Sequence, residues 1–393
     1  MGLLDGIRIL DFTQHQAGPY GTALLADFGA DVVKIERIGG DPARANFPEV
    51  DGVNAFFLVN NRGKRSLSLD LEKPAAVGVV HRLLGRADVL AHNLKPGAME
   101  KFGLGYSDLH ERYPRLVYAA VSTFGPQGPR RWTTGVDLIA QAESGIMSVT
   151  GETDGHALPV GVALADALGG VNLAFAVLGA LYGRERTGSG QEVHVSLVGG
   201  LIGVQAWELQ NHLLAHTVSP RAGQSHPLIK TLWTSFAARD GDFVLAEVAD
   251  AWPGICRAIG LAELAAEERF RSVGRRLKNR APLLEILRAR FAESTVDECV
   301  RRLRAEGVLA APVQSYAQVA ADPDARANGY VRKIDLPGKG PIDTIGPFLH
   351  FSETAPEVRR GAPDLAAHTA EILAELGYDA AEIGRLRSER AIA

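Results

Sequence analysis

Residues 7–36 read IRILDFTQHQAGPYGTALLADFGADVVKIE, and this stretch decides the fold. The apolar run at 7–12 predicts a strand, and 17–28 predicts a helix. After a turn at Gly29-Ala30-Asp31, residues 32–36 predict a second strand. A strand, a helix and a strand in this order form a βαβ unit with parallel strands and a right-handed crossover. The opening of the chain therefore predicts an α/β domain built on a parallel sheet.

The same alternation continues beyond residue 36. Helices are predicted at 74–86 and 167–181 because apolar residues recur there with helical spacing. Further strands are predicted at 66–71, 87–93, 116–124 and 192–198. Together these segments predict a Rossmann-like parallel-sheet domain.

The pattern changes near residue 220. Strands at 231–238 and 242–248 flank Asp240-Gly241, a pair that favours a type I′ hairpin turn. The segments that follow are helices at 251–260, 280–292 and 295–306, a strand at 308–314, an extended Gly- and Pro-rich region at 329–352, and a helix at 365–376 that stops at Gly377. We expect a large Rossmann-like α/β domain from residues 1–215 and 329–393, and a smaller α+β domain with linkers at 216–328.

Composition excludes several classes of function. The chain has 393 residues, of which 46% are hydrophobic, and it is long enough for two domains. A net charge of −4 gives no electrostatic case for nucleic acid, so an anionic ligand would need a local cluster of cations. Cys256 and Cys299 are too few for a disulfide framework or a metal site, and we expect each to be buried.

No targeting signal is recognisable in Met1-Gly2-Leu3-Leu4-Asp5-Gly6. The longest uncharged apolar run, 167–183, is shorter than a typical membrane span. We therefore expect a cytoplasmic protein without a membrane segment, in which this run is a buried helix.

Asp166 is the candidate catalytic residue. It is the one charged residue between His156 and Arg184, inside a long apolar stretch, where an unpaired carboxylate is costly. Asp favours the N-cap position, and a helix is predicted to follow, so a structural cap is the simpler interpretation. The two interpretations are compatible, because a helix N-terminus favours the anion, and an ordinary Asp pKa near 3.9 leaves a nucleophile ionised at neutral pH.

The first βαβ unit, which ends at Glu36, also matches the general plan of a dinucleotide-binding unit. Gln16-Ala17-Gly18-Pro19-Tyr20-Gly21 lacks the G-x-G-x-x-G pattern, and Pro19 has no N–H for a pyrophosphate. A nicotinamide-dependent dehydrogenase is therefore disfavoured.

Motifs along nearly the whole chain resemble the class III CoA-transferase family, which also contains formyl-CoA transferases and α-methylacyl-CoA racemases. The matching segments are 10–12 with 16–19, 25–37, 40–44, 61–66, 87–90, 93–97, 165–166, 187–191, 362–363 and 368–369. The resemblance implies that Asp166 attacks an acyl-CoA thioester, forming first an aspartyl-acyl anhydride and then an aspartyl-CoA thioester. Backbone N–H groups at the helix start or a glycine turn are expected to hold the oxyanion.

The resemblance also implies a CoA site and a quaternary structure. The family's CoA contacts align with His15, Gln16, Arg37, Leu71, Asn93, Leu94 and Lys101. CoA is then a substrate, together with a carboxylic acid, and no prosthetic group or metal is implied. The family's subunits form an interlocked homodimer. For each cation the alternative is a solvated surface charge, and the cluster Arg62, Lys64 and Arg65 is predicted to be a solvated loop.

Other functions stay open from the sequence. Racemases of the family carry Gly-His-Asp where this chain has Gly135-Val136-Asp137, and valine cannot transfer a proton. Asp250 lies near the position of a second racemase acid, so an isomerase acting at the α-carbon remains an alternative. A CoA-binding protein without turnover is another. The glycine run of the oxalate and formyl branch is missing around 215–228, which disfavours formyl-CoA and oxalate as the substrates.

Overall fold

The predicted parallel sheet is present in the computed structural model, which describes residues 2–229 and 231–393. The strands of the described residues are β1 (Arg8–Asp11), β2 (Asp31–Glu36), β3 (Glu49–Val50), β4 (Val53–Asn54), β5 (Arg65–Ser68), β6 (Val89–His92), β7 (Val117–Ser122), β8 (Glu192–Ser196), β9 (Trp233–Ala238), β10 (Gly241–Ala246), β11 (Leu309–Pro312), β12 (Val331–Leu336) and β13 (Gly340–Ile345). Six of them form one sheet in the order β5-β2-β1-β6-β7-β8, with every neighbouring pair parallel. The prediction of a mixed α/β protein with a parallel sheet is confirmed.

Helices connect these strands. They are α1 (Ala17–Asp27), α2 (Ala55–Asn61), α3 (Pro74–Leu84), α4 (Tyr106–Leu109), α5 (Asp137–Glu143), α6 (Ile146–Val149), α7 (Leu164–Thr187), α8 (Leu197–Val204), α9 (Ala206–Ala215), α10 (Trp252–Ala258), α11 (Val273–Lys278), α12 (Arg280–Ala292), α13 (Val296–Ala305), α14 (Tyr316–Ala321), α15 (Pro323–Ala327), α16 (Thr369–Glu375) and α17 (Ala380–Ser388). Short 3₁₀ turns occupy Pro42–Arg44, Glu100–Phe102 and Ala262–Ala265.

Helices cover both faces of the parallel sheet. Side chains alternate along a strand, so Ile9 and Leu10 of β1 enter two different apolar clusters. The Ile9 cluster includes side chains of α1 and α7, whereas the Leu10 cluster includes those of α3, α16 and α17. The C-terminal helices α16 and α17 therefore pack against the same sheet as the N-terminal strand β1.

The chain divides into two compact units. The first contains the described residues up to 146 together with 160–205 and 323–393, and the second contains 147–159 and 206–322. In the second unit an antiparallel sheet, in the order β11-β10-β9, packs with α10, α12 and α13 around Phe243, Trp252 and Phe291. Cys256 and Cys299 are buried in this cluster, as predicted.

Two local predictions are wrong. The cluster Arg62, Lys64 and Arg65 is buried, because each cation meets an acid from a neighbouring element. The pairs are Arg62 with Asp27 (2.6 Å), Lys64 with Asp11 (2.8 Å) and Arg65 with Asp31 (2.7 Å). In the hairpin, residues 239–240 form the turn between β9 and β10, and neither Asp240 nor Gly241 has the positive φ of a type I′ turn.

The apolar run around 167–183 lies within α7, which is longer than predicted. By length and hydropathy alone this 24-residue helix meets the criteria for a membrane span. Leu173 and Val177 are fully buried in the cluster on one face of the sheet. One face of α7 therefore belongs to the core of the first unit, although only 44% of its apolar window is buried.

Candidate active site

Asp166 lies in the first turn of α7, as the third helical residue. Ala163 occupies the N-cap position and supplies no side-chain hydrogen bond, so the expectation that Asp166 itself is the cap is wrong. The acceptor comes instead from the first residue of α5. The Asp137 Oδ1 atom accepts hydrogen bonds from the backbone N–H groups of Ala165 (2.7 Å) and Asp166 (3.2 Å).

Gln141 holds Asp137 in this position. The Gln141 Nε2 group donates to Asp137 Oδ2 at 2.7 Å, one helical turn away on the same face of α5. Its Oε1 atom accepts from the Val160 N–H at 2.8 Å, and its Nε2 also donates to the Val162 carbonyl at 3.3 Å. Two side chains of α5 thereby anchor both the start of α7 and the segment that leads into it.

The electrostatics of Asp166 differ from the expectation. Burial, and then the neighbouring negative charge of Asp137, raise the pKa of Asp166 to about 6. The helix N-terminus was expected to favour the anion, but Asp137 already accepts hydrogen bonds from the local N–H groups. Asp166 is still mainly ionised at neutral pH, and its higher basicity makes it a stronger nucleophile than an unperturbed carboxylate.

The start of α7 is not available as an oxyanion site in this arrangement. Ala165 and Asp166 donate to Asp137, Leu164 donates to the Val162 carbonyl at 2.8 Å, and Ala167 donates to the Ala163 carbonyl at 3.0 Å. The predicted oxyanion donors were N–H groups at the helix start or in a glycine turn, and only the glycine turn remains as a candidate.

Close packing of α1 against α7 brings the β1–α1 loop to the start of α7. A Cβ atom on Gly170 would lie 2.9 Å from the Ala17 carbonyl oxygen and 3.0 Å from the Gly21 nitrogen. A Cβ atom on Gly169 would lie 2.5 Å from Leu197. Because these glycines are three and four residues after Asp166, they lie on its face of the helix. That face therefore approaches Ala17, the residue that directly follows His15 and Gln16.

The predicted CoA contacts gather at one edge of the sheet. His15 and Gln16 follow β1, Arg37 follows β2, Leu71 follows β5, and Asn93 and Leu94 follow β6. These four strands are adjacent and parallel, so their carboxyl ends lie at the same edge, where α/β sheets bind ligands. The helix α7 leads into β8 of the same sheet, so it starts at this edge as well.

The contacts of these residues differ in kind. Leu71 and Leu94 are partly buried against an apolar cluster. Arg37 is exposed, with its Nε donating to the Gly40 carbonyl at 2.9 Å. The Lys101 side chain is 60% exposed and pairs with Glu72 at 2.5 Å, so a phosphate would compete with an exposed carboxylate for this cation.

The loop that carries His15 and Gln16 is tied to Asn93. The Asn93 amide donates to the Gln14 carbonyl and accepts from the Gln14 N–H, both at 2.7 Å. Gln16 occupies the N-cap position of α1 without a side-chain cap hydrogen bond. His15 is exposed and its backbone N–H donates to Asp41.

Sequence reasoning missed Asp137 and Gln141. In the sequence, Asp137 stands in Gly135-Val136-Asp137, and only Val136 in that motif pointed to a function. The spacing of a carboxylate and an amide four residues apart at a helix start was visible in the sequence, but it did not show that α5 meets α7. Val136 itself is 64% exposed, directly before Asp137.

Comparisons with known proteins show the family of the chain. The family described as CoA-transferase family III matches residues 4–369. The succinyl-CoA:mesaconate CoA-transferase of Haloarcula marismortui is 39% identical, over 96% of this chain and 98% of its own length. The human succinyl-CoA:glutarate CoA-transferase is 32% identical, over 98% of this chain and 89% of its own length. A crystal structure of a CAIB/BAIF family protein from Brucella suis has a TM-score of 0.87 at 35% identity, and covers 95% of this chain and 99% of that chain. The chain belongs to CoA-transferase family III.

Proposed function

We propose that this chain transfers CoA from an acyl-CoA thioester to a free carboxylic acid, with Asp166 as the nucleophile. The observation that carries the proposal is the paired arrangement of Asp166 and Asp137 at the carboxyl edge of the sheet. No donor among the described residues bonds the Asp166 carboxylate, so its lone pairs are free for attack. Burial of this carboxylate favours intermediates that must be kept from water.

Each pair of steps exchanges one carboxylate for another on sulfur. An Asp166 oxygen attacks the thioester carbon, the C–S bond breaks, and CoA leaves as a thiolate with a mixed anhydride formed. The thiolate attacks the Asp166 carbonyl carbon, which releases the donor carboxylate and leaves an aspartyl-CoA thioester. The acceptor carboxylate then attacks that thioester, and the thiolate finally attacks the acceptor's carbonyl carbon and restores Asp166. No net proton transfer is required, so an ionised carboxylate suffices.

The substrates that we propose are short dicarboxylic acids and succinyl-CoA. The two relatives described above are named for succinyl-CoA with mesaconate and succinyl-CoA with glutarate. We propose that His15, Gln16, Arg37, Leu71, Asn93, Leu94 and Lys101 form the CoA site. Arg37 and Lys101 are the cations among them, and they supply the positive charge that CoA phosphates need in an otherwise acidic chain.

We also propose that the protein is an interlocked homodimer. Phe175 and Tyr182 project from α7 with 77% and 68% exposure, and Ile202 and Val204 of α8 are exposed beside them in sequence. A groove of about 450 Å³ between these helices is lined by Leu168, Phe175 and Val204 among others. Exposed apolar surface of this extent is typical of an interface. The first unit contains both ends of the described chain, as an interlocked arrangement requires.

The experiment that tests the activity is a panel of CoA esters and free acids with products identified by mass spectrometry. We expect transfer between succinyl-CoA and a short dicarboxylate by the wild type, and loss of nearly all transfer by Asp166→Ala. The matched control is Asp297→Asn, which changes an exposed acid in the first turn of α13 and should retain transfer. Near-normal transfer by Asp166→Ala would contradict the proposal. Rapid α-deuteration of a chiral 2-methylacyl-CoA in deuterated water, without transfer, would favour the racemase alternative instead.

A further inference from the structure

The backbone of residues 13–15 is held by side chains from four different parts of the chain. The hydrogen bonds are Thr13 N–H to Asp11 Oδ1 (2.9 Å), Lys34 Nζ to the Thr13 carbonyl (2.9 Å), Gln14 N–H to Asn93 Oδ1 (2.7 Å), Asn93 Nδ2 to the Gln14 carbonyl (2.7 Å) and His15 N–H to Asp41 Oδ1 (3.3 Å). A surface loop ordinarily leaves several of these groups to water. Here the conformation of the loop is specified group by group.

This conformation is one that histidine rarely adopts. His15 has a φ of +63°, in the left-handed region that favours glycine. A strained residue of this kind persists only where its surroundings over-determine it, and such residues cluster at functional sites. The His15 side chain is exposed and bonds no described residue, so the strain is not compensated by its own contacts.

The side chains that impose the strain are themselves unusual. Lys34 is fully buried and Asp41 is 3% exposed, and they pair at 2.9 Å beneath the loop. A buried ion pair is weak evidence for stability, since an apolar pair of similar volume is often as good. The pair does fix the geometry of the loop, because both side chains also bond its backbone. Lys34 donates to the Thr13 carbonyl, and Asp41 accepts from the N–H groups of His15 and Ala43.

We propose that Asn93, Lys34 and Asp41 are positioning residues, which act on acyl-CoA by holding His15 in its left-handed conformation at the edge of the site. The proposal rests on the proposed function, because it takes His15 as a CoA contact. It narrows the role of Asn93 within the proposed CoA site, because a positioning role replaces the direct contact that the resemblance implies. The Asn93 amide forms both of its hydrogen bonds with the Gln14 backbone, so its effect on CoA passes through the loop.

A double-mutant cycle separates the two roles of Asn93. The variants are Asn93→Ala, His15→Ala and their combination, and the readouts are the dissociation constant of CoA by calorimetry and the KM and kcat for succinyl-CoA with glutarate. We expect Asn93→Ala alone to weaken CoA binding about five- to tenfold, mainly in KM, because the loop relaxes. In the His15→Ala background, Asn93→Ala should have little further effect on CoA binding, because the side chain that Asn93 positions is already absent.

Two other outcomes would overturn the inference. Equal effects of Asn93→Ala in both backgrounds would show direct contact with CoA, and no effect in the wild-type background would show no role. Asn279→Ala is the control, since the Asn279 side chain also makes two hydrogen bonds to the backbone, donating to the carbonyls of Arg269 and Arg275, but in the second unit. Wild-type protein that binds CoA but transfers nothing would refute the proposed function alone, with the cycle still decided by the dissociation constants. Protein that does not bind CoA would refute both.

A second measurement does not depend on activity. With the loop held, His15→Gly should unfold at a higher temperature than His15→Ala, because glycine tolerates the positive φ. In an Asn93→Ala background this difference in Tm should shrink. Asp41→Asn keeps an oxygen for the His15 N–H and serves as a second variant if Asn93→Ala does not fold. It should leave the Gly–Ala difference in Tm nearly unchanged, and a collapse of that difference would show that the charge pair rather than the hydrogen bond sets the loop.

Discussion

At the scale of single residues, the site depends on two carboxylates with different tasks. Asp137 stays at the start of α7 as the acceptor for two backbone N–H groups. Among the described residues, no hydrogen-bond donor and no cation contacts the Asp166 carboxylate, and burial followed by the charge of Asp137 raises its pKa to about 6. In many active sites two acids have different roles because their environments give them different pKa values.

The charge of Asp137 should set the acid limb of the pH profile. Asp137→Asn keeps an oxygen for the N–H groups of Ala165 and Asp166 but removes the negative charge, which is the second cause of the raised pKa. We expect the acid limb of kcat/KM to move to lower pH, and burial, the larger cause, to keep the pKa of Asp166 above its ordinary value. The measurement is kcat/KM from pH 4.5 to 8, with Asp297→Asn as the control that should not move. An unchanged limb would remove Asp137 from the tuning of Asp166.

The raised pKa of Asp166 also has a consequence for stability. Between its unfolded pKa near 3.8 and its folded pKa of about 6, the folded state binds more protons, so ionised Asp166 lowers the free energy of unfolding as the pH rises. Asp166→Asn should therefore stabilise the protein at pH 8 by about 1–2 kcal/mol, with the gain shrinking as the pH falls through 6 and vanishing near pH 4. Urea unfolding at these pH values is the measurement. A stabilisation independent of pH would contradict this assignment.

At the scale of secondary-structure elements, glycines let α1 and α7 meet. A Cβ atom on Gly170 would come within 3.0 Å of backbone atoms of Ala17 and Gly21. We expect Gly170→Ala to destabilise the protein by about 1–3 kcal/mol and to weaken CoA binding, because the β1–α1 loop moves with α1. Gly78→Ala in α3 is the control, since no atom lies within 4 Å of its Cβ position. It should stabilise by about 0.5–1 kcal/mol, as expected for an exposed helical glycine. Equal unfolding free energies for the two variants would contradict this role of Gly170.

The sequence predicts elements better than contacts between elements. Strands β1, β2, β5, β6, β7 and β8 were all predicted. Apolar runs mark β1, β2, β6 and β7, and alternation with period 2 marks β5. The predicted start of α7, Ala167, is three residues later than the observed start, Leu164. The start of a helix depends on the residue that caps it. Here the cap comes from Asp137, 29 positions away in the chain. The burial of Lys64 could not be predicted for the same reason, because its partner Asp11 lies far away in the sequence, at the end of β1.

The conformation of the loop at His15 was beyond sequence reasoning for a similar reason. Histidine is only a weak signal for a positive φ. The residues that impose it come from β1, from β2 and from the loops after β2 and β6. The position of the predicted CoA residues at one sheet edge, by contrast, follows from strand order and could be anticipated.

At the scale of the whole molecule, the proposed homodimer makes a prediction about dilution. Interlocked subunits cannot separate without opening, so light scattering should give the mass of a dimer at every concentration at which the protein is folded. Phe175→Glu places a charge on the exposed apolar face of α7 and should reduce the yield of folded dimer, whereas Phe175→Tyr keeps the aromatic surface and should not. A stable and active monomer of 42.0 kDa at low concentration would refute the interlocked arrangement.

The central claim is that Asp166 becomes covalently bound to the substrate during turnover. Hydroxylamine attacks anhydrides and thioesters but not a free carboxylate, so it should convert Asp166 to a hydroxamate only when succinyl-CoA is present. Peptide mass spectrometry of the trapped wild type locates the modification, and the Asp166→Asn protein serves as the blank. We predict a hydroxamate at Asp166 in proportion to the turnover that is lost. Active transfer that hydroxylamine does not inhibit, or a modification at a different carboxylate, would contradict the account.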